Sequence, residues 1–173
     1  MKNWINKQYI SKFRYMAASV NNENLLDQCI TEAMLFDLQP FLGAAFFQEL
    51  ITAYDADTLT ADQSKLLEGG NYTYNTYTYG FQGIKTALCY FAFSRYVSRD
   101  GIHHTATGMV TKDGAFSEPV SDKTRQRLAS QDAALAEGLK LEIIDYLNRN
   151  CLLYTLWGGT RKIRKPQMRS IGE

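Results

Sequence analysis

The sequence predicts a mainly α fold: a helical bundle around a central apolar helix (about 84–97) and a long C-terminal helix (about 121–150), with a projecting β-hairpin arm (about 103–118). Three observations carry this. Ile84 to Val97 is apolar nearly all round, which suits the centre of a bundle, and it is too short to span a bilayer. Leu128, Leu135, Leu139, Ile143, Tyr146 and Leu147 recur at helical spacing. Between the two lies a stretch, 99–120, too long for an idle connection, and its Asp113-Gly114 pair suits a tight primed turn.

The elements follow in order. Residues 1–21 mix Trp4, Ile5, Tyr9, Ile10, Phe13 and Val20 with polar residues without clean period, and read as an N-terminal arm or short irregular helices. Asn21-Asn22 is a credible N-cap for a helix from Asn24 to Leu38 carrying Leu26, Cys29, Ile30, Ala33 and Met34 inward. Pro40 is expected to stop or bend it. Gly43 is expected to let backbones approach, ahead of a short helix with Phe46, Phe47, Leu50 and Ile51 on its apolar face. Thr60-Ala-Asp-Gln63 is a capping box for a helix that ends at Gly69-Gly70.

Tyr72 to Tyr79 alternates Tyr with Thr but slips at Asn75. It reads either as a strand or as an aromatic linker, its rings packing on neighbouring helices rather than on nucleic-acid bases, since no Arg or Lys lies between Asn71 and Gln82. Ser121 is the expected N-cap of the long helix, and mid-helix Gly138 implies close helix contact to offset its cost of about 1 kcal/mol. Leu152 to Trp157 ends the core, and Gly158-Gly159 releases a basic tail. The chain thus divides into an arm (1–21), a helical domain (22–157, with the hairpin arm at 99–120) and a tail (158–173).

Composition narrows the function classes. At 173 residues the chain makes one domain with a real core, 45% hydrophobic, with 11 tyrosines against 9 phenylalanines. The net charge of +1 is unevenly spread. Arg161, Lys162, Arg164, Lys165 and Arg169 face only Glu173 in the tail, leaving residues 1–160 with 14 of the 19 cations against 17 of the 18 carboxylates. Such a tail can meet DNA phosphates, remain a solvated terminus, or dock on an acidic groove of a partner, the reading preferred here. Cys29, Cys89 and Cys151 fall within apolar helical patterns without metal-ligand spacing and read as buried reduced thiols. The Met1 start lacks a signal-peptide core, so an intracellular setting or a cytosol-assembled particle is expected, with no membrane partner.

Chemistry is unpromising. His103 and His104 are neighbours, a poor arrangement for chelating one metal on a strand, and read as solvent-facing hairpin residues. Glu137 and Glu142 lie five apart, off one helical face, and neither a nucleophile elbow nor a phosphate-binding glycine loop occurs. No catalytic, cofactor-binding or metal residue is therefore expected. A lone two-stranded hairpin is marginal in water, so the arm is expected to be completed by another chain through its exposed edge. Thr107, Met109, Val110 and Phe116 are the candidate contact residues.

The order of parts resembles the head–tail connector (head-completion adaptor) proteins of tailed bacteriophages over about residues 20–150. The likeness rests on Leu38-Gln-Pro-Phe-Leu-Gly43, Phe47-Gln-Glu-Leu50, the Leu66-Leu67 helix and the aromatic central helix. It continues through Gly108-Met-Val110 to Ser117-Glu-Pro-Val-Ser121, and the long helix ending in Asp145-Tyr-Leu147. The resemblance implies a structural virion subunit, not an enzyme, assembled in the host cytoplasm. It would form a homo-oligomeric, twelvefold ring beneath the portal protein, with DNA passing through its channel unread and the next neck or tail protein docked below. The alternative, from another class, is a small nucleic-acid-binding or regulatory protein that uses the Arg161–Arg169 tail.

Overall fold

The computed structural model describes residues 1–16, 23–100, 102–105, 108–111 and 121–159. The chain is mainly helical: α1 (Lys7–Ile10), α2 (Glu23–Ala33), a π-helical turn (Met34–Leu38), α3 (Gln39–Leu42), α4 (Ala44–Asp55) and α5 (Ala61–Glu68) precede a hairpin of β1 (Gly70–Tyr74) and β2 (Tyr77–Phe81). Then come α6 (Gly83–Arg99), β3 (Ile102–Thr105), β4 (Gly108–Thr111) and α7 (Asp122–Arg149). Helix α6 is the hub. Ile84, Ala87, Leu88, Cys89 and Ala92 are fully buried, and α2, α5 and α7 pack around them.

The N-terminal stretch, expected as an arm or short irregular helices, forms the short helix α1 and belongs to this core. Trp4, Ile5 and Ile10 are buried, and the Trp4 ring lies 5.5 Å from that of Phe47. Asn6 caps α1 by accepting from the Tyr9 amide. The Asn21-Asn22 cap lies outside the described residues.

Pro40 does not stop its helix. The turn before it widens, the Gln39 amide donating to the Met34 carbonyl five residues back, and this gives room to a ring that an ordinary turn would push against a carbonyl. Gly43 ends α3 at φ +84. No atom lies within 4 Å of where its Cβ would stand, so the need there is the backbone angle, not close approach. Close approach is found instead between Gly69 and Gly83, where a Cβ on Gly83 would meet the Gly69 nitrogen at 2.3 Å. The capping box of α5 forms, with Gln63 N donating to Thr60 Oγ1 (3.1 Å) and Thr60 N to Gln63 Oε1 (3.0 Å).

The Tyr72–Tyr79 run is an antiparallel hairpin in which Tyr72 faces Tyr79 and Tyr74 faces Tyr77. The slip at Asn75 is its turn: Asn75 and Thr76 both take positive φ (47° and 69°), as a primed two-residue turn requires.

The hairpin expected between α6 and α7 is present with a different register. Ile102 pairs with Thr111, His103 with Val110, His104 with Met109 and Thr105 with Gly108. Both strands, Ile102–Thr105 and Gly108–Thr111, thus lie ahead of Asp113-Gly114, the turn expected from the sequence. The Asp113-Gly114 pair and the rest of the expected hairpin up to residue 118 lie outside the described residues.

Helix α7 begins at the expected N-cap, Ser121, whose side chain accepts from the Thr124 amide. Its inner face differs from the sequence reading. Ile143, Tyr146 and Leu147 are buried as expected, but further back the helix turns in Ala129, Asp132 and Ala136 and leaves Leu128 (42%) and Leu135 (50%) exposed. Small residues let α6 approach closely, and Ser94 Oγ donates to the Ala129 carbonyl at 2.7 Å. Gly138 does not serve that contact, since nothing lies within 4 Å of where its Cβ would be. Cys29 and Cys89 are buried, whereas Cys151 is exposed in a turn that buries Tyr154 and Trp157 instead.

Candidate functional site

The hairpin β3–β4 stands on a pinned base. At the end of α6, Arg95 makes a two-pronged contact with Asp37 (Nε–Oδ2 3.0 Å, Nη2–Oδ1 2.9 Å), and Arg99 reaches Glu32 of α2 at 2.7 Å. The hydrogen bond from Arg99 holds the Glu32 carboxyl below its usual range. Helix α7 is tied to the same place, because Arg125 donates to the Asp100 carbonyl at 2.6 Å and pairs with Asp122. Between these fixed ends the two strands pair only with each other, so among the described residues no third strand joins them. Burial pushes the Tyr96 hydroxyl up to about 12, and Asp100 adds to the shift.

Met109 and Val110 of the candidate contact set lie on β4, opposite His104 and His103. Thr107 and Phe116 lie outside the described residues, as do Arg161, Lys162, Arg164, Lys165 and Arg169. Beside the hairpin base, an apolar groove follows the α6–α7 seam. A cavity of about 720 Å³ is lined by Phe93, Val97, Leu128, Leu135 and the Arg14–Asp132 ion pair (Nε–Oδ1 2.8 Å). It shares Ala134 and Leu135 with a second of about 330 Å³, lined further along by Phe13, Tyr90, Gly138, Leu139 and Glu142. Sequence reasoning missed this groove because it assigned Leu128 and Leu135 to the core. The signal was their seven-residue spacing, which an inward or an outward stripe would show alike.

At the other end of α7, aromatic rings interlock. Tyr146 stacks on Phe81 at 4.0 Å and meets Tyr72 edge-on at 4.9 Å, and its hydroxyl lies 2.9 Å from that of Tyr154. The Arg149 guanidinium lies over Tyr79 at 4.1 Å. The Tyr rings of this run thus lie against α7, with Tyr77 exposed at the tip.

Burial pushes the Cys89 thiol up to about 12, which leaves it unreactive at neutral pH. Among the described residues no group of three or more His, Cys, Asp or Glu could hold a metal ion, and no helix is long and apolar enough to cross a membrane. What the arrangement offers is surface: a strand edge unpaired among the described residues, on a pinned base, with an apolar groove beside it.

No curated protein and no solved structure matches the chain. One family profile matches residues 38–167, a span running from the end of the π turn through both hairpins and α7 into the tail. The chain belongs to that family, DUF6712, described as a family of unknown function.

Proposed function

We propose that the protein is a structural subunit of the head–tail connector of a tailed bacteriophage, forming a ring beneath the portal that extends the DNA channel and carries the next neck or tail protein. The observation that carries this reading is the hairpin β3–β4, which lies between the end of α6 and the start of α7, both fixed by ion pairs and hydrogen bonds, and is paired with no third strand among the described residues. An edge of this kind takes another chain through main-chain hydrogen bonds. When the contact joins two different surfaces of identical copies, a closing rotation makes a ring. The mainly helical body and the resemblance in element order support the same reading.

The test is electron microscopy of the purified full-length protein alongside Val110→Asp and Phe116→Asp. The wild type should form rings, and both variants should keep the helical circular-dichroism spectrum while failing to assemble. Rings formed normally by both variants would remove the hairpin as the contact. Duplex-DNA binding of sub-micromolar affinity, lost on deleting residues 160–173 in a protein that forms no rings, would favour the regulatory alternative instead.

A further inference from the structure

Helix α7 carries a stripe, with Leu128 and Leu135 its apolar members, that the described residues leave open. Leu128, Gln131, Leu135, Gly138 and Glu142 follow one another at spacings of three and four, all exposed, along the lip of the groove. This is the narrow stripe of a helix that packs on another helix.

The charges on α7 say which helix. Its first ten residues carry Lys123, Arg125 and Arg127 against Asp122, whereas residues 137–149 carry Glu137, Glu142 and Asp145 against Lys140 and Arg149. The terminal turns, with Asp122 in the first and Arg149 in the last, suit the helix dipole, so the charges in question are those between them. Among the described residues Arg127 and Glu142 make no ion pair, while Arg125, Lys140 and Asp145 each have a partner on the same helix. An antiparallel copy of the helix would set Arg127 beside Glu142 at both ends of the contact, giving each the partner it lacks among the described residues.

We infer that two copies of this chain associate through α7, antiparallel about a twofold axis beside Leu135. Each copy's Arg127 turn then lies beside the partner's Glu142 turn, and the leucines of one stripe enter the groove of the other. Gly138 acquires a reason in this arrangement. Its bare backbone, in open space where alanine would make a better helix, lets the second helix come close. The contact is isologous and uses a surface distinct from the hairpin edge, so it stands or falls separately from the ring.

Sedimentation velocity of the full chain over a wide concentration range tests this, with Cys151→Ser as background because Cys151 is exposed. The protein should show a monomer–dimer equilibrium that Leu135→Asp abolishes without loss of helical signal and Val110→Asp leaves unchanged. Arg127→Glu and Glu142→Arg should each weaken the dimer by about tenfold or more, and the double reversal in one chain should restore it. An independent readout is Leu135→Cys. Helix axes about 8–10 Å apart bring facing Cα atoms within disulfide reach near the axis, so mild oxidation should give a covalent dimer. A protein that stays monomeric throughout, a dimer indifferent to Leu135→Asp, or a double reversal no better than the singles would overturn the inference.

Discussion

Among the described residues, Thr76 is the one β-branched side chain held at positive φ. A β-branched side chain at φ +69° stands in the left-handed region that glycine takes freely, at a penalty of about 1–2 kcal/mol. Thr76→Gly should therefore stabilise the protein by about 1 kcal/mol, the gain being reduced by the greater freedom of glycine in the unfolded chain. Urea denaturation checks this, with a higher midpoint at an unchanged slope as the expected result. The same residue explains why this turn was hard to read. Asn-Gly would have announced a hairpin, but Asn-Thr does not, and the Tyr–Thr alternation around it fits a linker as well. Where a signal is complete within four residues, as in Thr60 to Gln63, it was legible, because both partners of each hydrogen bond lie in the motif itself.

Among the elements, the clamp between α2 and α6 has the clearest dependence on solution conditions. The Glu32 carboxyl titrates below its ordinary value of 4.5 because Arg99 hydrogen-bonds to its charged form. A carboxyl lowered by folding stabilises the fold above its ordinary value, and that stability is lost as pH falls through the folded value. Glu32→Gln should then lower the melting temperature near neutrality and shrink the difference as the medium is acidified below about pH 4.5, a convergence that thermal melts across the acid range would reveal. Legibility at this scale followed the same logic as at the residue scale. Helix α6 was evident because it is apolar nearly all round and leaves little to choose. Helix α7 presents two apolar stripes, and which one faces inward was decided by the close approach of α6 to Ala129 and Ala136, a fact of packing rather than of periodicity. The path through Pro40 likewise depended on a π turn, which no residue pattern advertised.

For the whole molecule, the two ends of the described chain close over a core made by its middle. Trp4, close to Phe47, seals one side through the N-terminal stretch. Tyr154 and Trp157 seal another, the Tyr154 ring meeting Phe46 at a tilt and its hydroxyl donating to the Asp62 carbonyl at 2.9 Å, while Trp157 Nε1 donates to Asn148 at 3.0 Å. These are the chain's two tryptophans, both buried. Each is therefore a native optical reporter on a different terminus. In Trp157→Phe the remaining emission should follow release of residues near the start, and in Trp4→Phe release of the turn after α7. If either spectrum shifts red at lower denaturant than the far-ultraviolet helical signal is lost, that terminus peels away before the centre melts. Coincident curves would mean that closing both ends is part of one cooperative event.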